Sequence, residues 1–270
     1  MNDTKITSET VVTESVVTES VVSETMVTMV TGANKGIGRE IAAQLAALGH
    51  TVVIGARSAE LGEKAAAELR ATGADAISVV LDVTDPASVA AAAEAVKSRY
   101  GRLDALVNNA AVALPPGSDM TGQRPRSADL GVVRHIFDTN FFGVIAVTSA
   151  LLPLLRRSSA PRIVNVSSRG GSLSVMADQE AWADDQPPLS AGYSPSKSAL
   201  TALTLQYARD LRPDGILVNA VCPGFCATDL NHHAGHRTPA QGAVAAVRMA
   251  TIPADGPTGT FTDDQGTVPW

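Results

Sequence analysis

The sequence predicts an α/β protein in which helices cover both faces of a parallel, doubly wound sheet. Short apolar runs rich in Val and Ile alternate with Ala-rich stretches of helical periodicity from Met26 onwards. A glycine-rich turn joins the first apolar run to the first helical stretch. Regular strand–helix alternation implies right-handed crossovers, which make the strands of one sheet parallel. We therefore expect residues 26–270 to form a single domain of three layers, α/β/α.

Each element of this sheet follows from a local pattern. The predicted strands are short and apolar, at residues 27–30, 51–54, 76–81, 103–107, 162–166 and 216–221, with a short last strand at 258–261. The predicted helices are residues 39–48, 59–72, 86–100, 129–157, 193–212 and 238–250. Asp85 followed by Pro86 predicts the start of the third helix, because aspartate caps a helix and proline suits its first turn.

Residues 1–25 lie outside this pattern. A unit of the type Val-Val-Thr-Glu-Ser recurs at residues 11–15, 16–20 and 21–25. A five-residue period matches neither the alternation of a strand nor one face of a helix. We expect a weakly ordered extension, and an arm that contacts another subunit is the alternative.

The composition narrows the class of protein. The net charge is −6 and no basic stripe is present, so nucleic acid and anionic membranes are not expected as partners. No apolar run is expected to span a bilayer, and the N-terminus lacks the basic start and apolar core of a secretory signal. The two cysteines form no disulfide framework, so we expect a reducing, cytoplasmic setting.

The glycine-rich turn, residues 31–38 (TGANKGIG), is the first candidate binding site. Its glycines permit positive φ and let a ligand approach the backbone, and the helix that follows offers unpaired N–H groups to a phosphate. A dinucleotide would contact Gly32, Asn34, Lys35, Gly36, Ile37 and Gly38. The spacing G-x-x-x-G-x-G differs from the general G-x-G-x-x-G fingerprint of Rossmann-type folds, so a turn that binds nothing is the alternative.

Charges near the second strand bear on the choice of cofactor. An acid at its end would bind the adenosine hydroxyls of NAD, whereas a cation would suit a 2′-phosphate. The sequence has Arg57 there, and Lys35 lies in the glycine-rich turn. Because arginine makes bidentate contacts with phosphate, we expect NADP(H). Two solvated surface charges are the alternative.

Two further strand ends complete the predicted cofactor site. Asp82 and Val83 follow the third strand, where Asp82 would hold the adenine edge. Asn109 and Ala110 follow the fourth strand and would line the ribose–nicotinamide side. An aspartate that only caps a turn and a plain asparagine turn are the alternatives.

Ser168, Tyr193 and Lys197 form the predicted catalytic cluster. Ser168 follows the fifth strand, and Tyr193 and Lys197 are four residues apart on one helical face. An ammonium beside the phenol would lower the tyrosine pKa and let it act as a general acid. A serine hydroxyl at the facing strand end would hold the substrate oxygen.

In this order, the motifs resemble the short-chain dehydrogenase/reductase family over residues 26–270, and TGANKGIG looks most like its NADPH carbonyl-reductase branch. The resemblance implies that Tyr193 donates a proton, Ser168 orients the carbonyl and Lys197 binds the nicotinamide ribose. It further implies that Asn140 holds a water that relays protons to Lys197. Ser167 is the alternative for the serine role. The resemblance also implies that a turn closes over the nicotinamide, formed by Pro223, Gly224 and Phe225.

Two features depart from the family pattern. Ala111 stands where glycine is common. The segment between Ser168 and Tyr193 is longer than usual and contains Met176, Trp182 and Pro187-Pro188. We interpret it as an extra part of the substrate pocket that could also hinder helix-to-helix dimerisation, so a monomer and a homo-oligomer both stay open.

A metal site is the competing interpretation of the segment after the sixth strand. Zinc-ligand residue types are concentrated there, namely Cys222, Cys226, His232, His233 and His236. Their spacing fits no standard zinc pattern. We therefore expect no metal, and we place the histidines in a mobile lid over the substrate.

The sequence thus predicts an NADPH-dependent carbonyl reductase. Its pocket walls would be residues 112–114, 169–190 and 225–237, which are mostly apolar and favour a small hydrophobic ketone or aldehyde. An NADP-dependent alcohol dehydrogenase that works in the oxidative direction is one alternative. A non-catalytic NADP-binding regulatory protein is the other.

Overall fold

A computed structural model describes residues 25–115, 123–178 and 189–270. Seven strands form one sheet in the order β3-β2-β1-β4-β5-β6-β7, and every neighbouring pair is parallel. The strands are β1 Val27–Thr31, β2 Thr51–Ala56, β3 Ala76–Val80, β4 Ala105–Asn108, β5 Arg162–Val166, β6 Leu217–Val221 and β7 Phe261–Thr262. The predicted parallel, doubly wound sheet is confirmed. Its order reverses between β1 and β4, which opens a crevice at the carboxyl ends of the strands.

Helices cover both faces of this sheet. Within the described residues they are α1 Gly36–Ala47, α2 Ala59–Arg70, α3 Pro86–Tyr100, α4 Leu130–Phe137, α5 Gly143–Leu155, α6 Leu173–Ala177, α7 Tyr193–Asp210 and α8 Pro239–Ala250. One apolar layer joins the sheet to α1, α2 and α8. A second joins it to α3, α5 and α7. All residues of β1 and β2 are buried because helices cover both of their faces. The three-layer prediction is confirmed.

The start of α3 follows the predicted pattern. Asp85 is its N-cap, and Asp85 Oδ1 accepts a hydrogen bond from the backbone N–H of Ala87 at 2.9 Å. Pro86 occupies the first helical position, where the missing N–H has no helical partner to lose.

Two predicted elements differ from the structure. The long helix over 129–157 is interrupted by a π-helical turn at Asp138–Phe142, which separates α4 from α5. The last strand is β7 and not residues 258–261, because Gly259 has φ +70° and breaks the extended backbone. A short helix, α6, also lies in the segment between Ser168 and Tyr193, where no helix was predicted.

The helical stretch Leu130–Leu155 is long and apolar enough, by length and composition, to cross a membrane. A buried core helix of a globular domain passes the same test of length and composition. Half of its most apolar part is buried inside the protein. Val147, Leu151 and Leu154 on its inner face join the apolar layer that contains α3 and α7. We interpret the stretch as a core helix of the domain.

Several sequence predictions fall outside the described residues. They concern the repeats of residues 11–24, together with Trp182 and Pro187-Pro188 in the long segment before Tyr193.

Candidate active site

The glycine-rich turn connects β1 to α1 at the carboxyl edge of the sheet. Gly32 and Gly36 have φ values of +64° and +56°, which side chains of L-residues rarely adopt. A Cβ atom on Gly38 would lie 2.5 Å from the carbonyl oxygen of Gly32 and closer still to Asn109 Nδ2. Lys35 is the N-cap of α1, and its side chain does not cap the helix. The turn therefore presents bare backbone and an uncapped helix N-terminus, which is the cradle that a pyrophosphate requires.

Asn109 and Thr31 brace this turn from the end of β4. Asn109 Nδ2 donates hydrogen bonds to the carbonyl oxygens of Thr31 at 2.9 Å and Gly32 at 3.3 Å. Thr31 Oγ1 accepts from the backbone N–H groups of Asn109 at 3.0 Å and Ala110 at 2.9 Å. The Asn109 amide thus fastens the end of β4 to the glycine-rich turn, and its place on the ribose–nicotinamide side stays a prediction. Ile37 also turns inward, against the apolar layer of α1.

The two predicted phosphate cations lie in different surroundings. Lys35 Nζ forms an ion pair with Asp229 Oδ2 at 2.6 Å, and both side chains are more than half exposed. Arg57 follows β2, is exposed, and acts on the carboxylate of Asp82 through its charge. The sequence missed the Lys35–Asp229 pair because the two residues are far apart in the chain.

Asp82 is the cap of a turn after β3. Its Oδ1 accepts hydrogen bonds from the Thr84 N–H at 2.9 Å and the Thr84 hydroxyl at 2.7 Å. Burial raises the pKa of Asp82, but the two Thr84 hydrogen bonds and the charge of Arg57 together outweigh burial and lower it. These contacts match the turn-capping alternative. Val83 beside it is buried in the core.

The structure brings Ser168, Tyr193 and Lys197 together at the carboxyl edge of the sheet. Lys197 Nζ lies 5.8 Å from the centroid of the Tyr193 ring and donates to the carbonyl oxygen of Val166 at 2.8 Å. A hydrogen bond joins the Tyr193 phenol to the Ser168 side chain. Ser167 instead donates its hydroxyl to the carbonyl oxygen of Lys197 at 3.2 Å. Of the two candidate serines, only Ser168 therefore faces the phenol.

Burial sets the pKa values of this cluster. It raises the pKa of Tyr193 to about 12. Repulsion from the Cys222 thiolate, which forms only well above neutral pH, adds to this rise, while the Ser168 hydrogen bond acts in the opposite direction. Burial also lowers the pKa of Lys197 to about 8. Loss of solvation therefore dominates the pKa of Tyr193, and the lowering of that pKa by Lys197 stays a prediction.

Asn140 lies fully buried in the π-helical turn between α4 and α5. Its Oδ1 accepts from the Val112 N–H at 2.9 Å, and its Nδ2 donates to the Val112 carbonyl at 2.9 Å and to Ser196 Oγ at 3.0 Å. Ser196 Oγ donates to the carbonyl oxygen of Tyr193 at 2.7 Å. The amide of Asn140 thus fastens α7 to the segment after β4, and the water relay that was predicted for Asn140 stays a prediction.

Cys222, considered from the sequence only as a metal ligand, connects two loops of the site. Its buried Sγ accepts hydrogen bonds from the backbone N–H groups of Arg169 at 3.1 Å and Gly224 at 3.4 Å. Burial raises the pKa of this free thiol, so it is neutral at pH 7. Sequence reasoning missed this role, although the position of Cys222 directly after β6 places it at the active edge.

Residues 223–238, which follow β6, form a closed loop over this edge. Cys226 and Arg237 pair through their backbones, and Arg237 forms an ion pair with Asp264 at 2.7 Å. His233 Nε2 lies 2.9 Å from Asp229 Oδ1, and the ring of His236 lies 6.0 Å from that of Phe225. Within the described residues, the structure contains no group of three or more His, Cys, Asp or Glu side chains that could hold a metal ion.

Comparisons with known proteins agree with this geometry. Residues 26–238 match the family model of the short chain dehydrogenases. Short-chain dehydrogenase/reductase 1 of Saponaria officinalis is 36% identical, over 86% of this chain and 92% of that protein. The (−)-isopiperitenone reductase of Mentha piperita is 33% identical, over 86% of this chain and 94% of that protein. The structure of salutaridine reductase from Papaver somniferum superposes with a TM-score of 0.74 at 32% identity, covering 88% of this chain and 99% of that one.

Proposed function

Because this chain belongs to the short-chain dehydrogenase/reductase family, we propose that it is an NADPH-dependent enzyme that reduces the carbonyl of a small hydrophobic ketone or aldehyde to an alcohol. The observation that carries the proposal is the joint placement of Ser168, Tyr193 and Lys197 at the sheet edge that also holds the glycine-rich turn. Two relatives are named as a salutaridine reductase and an isopiperitenone reductase, which supports a reductase that acts on a small molecule.

The residues present fit a dinucleotide. The bare backbone at Gly32 and Gly36 and the uncapped start of α1 suit its pyrophosphate, and Lys35 and Arg57 suit a 2′-phosphate. We infer that the cofactor is held by Gly32, Asn34, Lys35, Gly36, Ile37, Gly38, Arg57, Asp82, Val83, Asn109, Ala110, Tyr193, Lys197, Pro223, Gly224 and Phe225. When bound, the nicotinamide supplies the hydride.

The side chains of the cluster supply the proton. With a pKa of about 12, Tyr193 keeps its proton at neutral pH and gives it up only to a stronger base, such as the alkoxide formed on reduction. The Ser168 hydroxyl, hydrogen-bonded to the phenol, orients the carbonyl oxygen toward it. With a pKa of about 8, Lys197 is mainly protonated at pH 7 and can replace the proton that Tyr193 loses. Asn140 positions α7 through Ser196.

Exposed apolar side chains in the segment between Ser168 and Tyr193 support a hydrophobic substrate. Leu173 on α6 is 67% exposed, and Leu189 is 71% exposed. The carbonyl of Trp270 accepts a hydrogen bond from the Ser174 N–H at 2.7 Å, which brings a further exposed aromatic ring to the same region. Apolar surface of this kind marks the wall of a binding site. The cytoplasm is the setting we infer, and it is supported by the free thiols of both cysteines.

Tyr193→Phe tests the proposal, because it removes the phenol and keeps the ring. We expect NADPH oxidation with a panel of ketones to fall at least ~100-fold, while NADPH binding measured by fluorescence titration persists. Tyr207→Phe, in the same helix but with its phenol hydrogen-bonded to Ser149, is the matched control and should keep its activity. Retained turnover in Tyr193→Phe would overturn the mechanism. Tight NADPH binding by the unmutated protein with no turnover of any carbonyl compound would favour the non-catalytic alternative.

A further inference from the structure

A cleft of about 310 Å³ lies beside the glycine-rich turn, between α1 and α2. Its wall on the side of the turn and α1 is formed by Asn34, Lys35, Gly36 and Arg39, and its wall on the side of α2 by Leu61, Lys64, Ala65 and Glu68. Because α2 follows β2, the cleft borders the strand end at which this fold binds the adenosine ribose of a dinucleotide. A phosphate on the 2′-oxygen of that ribose would therefore enter the cleft.

Three cations line the cleft, and their partners distinguish them. Arg39 is neutralised by Glu68, with Arg39 Nε 3.1 Å from Glu68 Oε2. Lys35 is neutralised by Asp229 at 2.6 Å. Lys64 is exposed, and within the described part of the chain it has no hydrogen bond or ion pair. The net positive charge of the cleft therefore resides on Lys64.

We propose that Lys64 is a specificity-determining residue whose ammonium binds the adenosine 2′-phosphate from the α2 side of the cleft. The proposal rests on the proposed function, since it concerns the choice of NADPH over NADH. A lysine side chain carries a point charge on a flexible four-carbon stem, so it can turn into the cleft when an anion arrives. A phosphate must compete with Asp229 for Lys35, whereas no carboxylate among the described residues pairs with Lys64.

Glu68 acts in the opposite sense in the same cleft. Its carboxylate repels a phosphate and occupies the guanidinium of Arg39, which would otherwise offer the anion a bidentate partner. Removal of the Glu68 charge should therefore strengthen binding of the 2′-phosphate, whereas removal of the Lys64 charge should weaken it. Opposite effects from two neighbouring positions on the same helix cannot both result from damage to the fold.

The test compares kcat/KM for NADPH and for NADH in the full-length chain and in three variants. We expect Lys64→Met to lower kcat/KM for NADPH about tenfold and to leave NADH unchanged, because only NADPH carries the 2′-phosphate. Glu68→Gln should raise kcat/KM for NADPH a few-fold, again without effect on NADH. Lys97→Met removes an exposed lysine of α3 that is paired with Glu94, and should change neither value.

Three results would overturn the role of Lys64. The first is an unchanged kcat/KM for NADPH in Lys64→Met, and the second is an equal loss of kcat/KM with NADPH and NADH in that variant. The third is a kcat/KM for NADPH that falls in Glu68→Gln as it does in Lys64→Met. Each leaves the reductase proposal standing, because that proposal rests on Tyr193. If the unmutated protein turns over no carbonyl compound, calorimetric Kd values for NADP⁺ and NAD⁺ replace kinetics. A Kd ratio that Lys64→Met does not change then overturns the proposal.

Discussion

Replacement of Cys222 by alanine tests whether a buried thiol holds two active-site loops together. Only 4% of Cys222 is exposed, and its Sγ accepts the N–H groups of Arg169 and Gly224 at 3.1 and 3.4 Å. Arg169 follows Ser168, and Gly224 belongs to the turn predicted to close over the nicotinamide. Alanine removes the shared acceptor and leaves both N–H groups without it, whereas serine keeps a hydroxyl acceptor at the same position.

The magnitude follows from these contacts. A buried donor that loses its partner costs about 1–3 kcal/mol, and sulfur is a weak acceptor, so about 1 kcal/mol for each N–H is the appropriate choice. The cavity left by the sulfur atom adds about 1 kcal/mol. We therefore expect Cys222→Ala to lower the free energy of unfolding by about 3 kcal/mol. A domain stable by about 5–15 kcal/mol remains folded after this loss, so its activity can be measured.

Urea unfolding followed by circular dichroism measures the stability, and kcat with NADPH and a ketone reports on the loops. Cys222→Ala should lose both stability and kcat, and Cys222→Ser should recover part of each. Cys226→Ala is the matched control, because the buried Cys226 Sγ donates to the Pro223 carbonyl at 3.3 Å and accepts no backbone N–H. It should cost less than Cys222→Ala, about 1–2 kcal/mol, for the cavity and for the weak hydrogen bond that the thiol donates. Equal destabilisation by both alanine variants, or unchanged kcat in Cys222→Ala, would refute the reasoning.

Two further predictions concern His50, which contacts Thr28 in β1, and Gly38, which lies in the glycine-rich turn after β1. Burial lowers the pKa of His50, which hydrogen-bonds Thr28 at 2.8 Å, so the unfolded chain takes up the proton first as the pH falls. The stability that neutral His50 contributes to the folded state is therefore present above pH 6.5 and is lost as the pH falls toward the folded pKa of His50. The urea unfolding midpoint of His50→Gln should lack this part of the pH dependence. Gly38→Ala should abolish NADPH binding in a fluorescence titration, because its Cβ would meet the Gly32 carbonyl at 2.5 Å, whereas Gly49→Ala, with no atom within 4 Å, should not.

Periodicity and capping were sufficient to predict most of the fold. Strands buried on both faces are uniformly apolar, so β1, β2 and β5 are visible as β-branched runs. Asp85 and Pro86 mark a helix start by chemistry that depends only on adjacent residues. The π-helical turn Asp138–Phe142 could not be predicted in this way, because its residues fit a continuous helix equally well and the packing of Asn140 against Val112 and Ser196 is a tertiary contact.

In the site, too, the features set by local sequence could be predicted and those set by tertiary contacts could not. Ser168, Tyr193 and Lys197 could be brought together from the sequence, because parallel strand ends and helix starts meet at one sheet edge. The direction of each side chain could not be deduced. The amide of Asn109 turns back to the glycine-rich turn because two carbonyl oxygens there need donors, and Cys222 is an anchor because two N–H groups from separate loops converge on it. Such pairings depend on chain segments that are distant in sequence.

The pKa of Tyr193 is raised rather than lowered, and this affects how the site handles protons. Oxidation of an alcohol requires a base that removes the hydroxyl proton, and a phenol with a pKa of about 12 is almost never ionised at neutral pH. Reduction requires a proton donor, and the same phenol is then in the reactive form. Lys197, with a pKa of about 8, is also mainly protonated, so both groups hold the protons that reduction consumes. Neutral pH therefore favours the proton-donating form of this site, and oxidation of an alcohol by the same residues would require a higher pH.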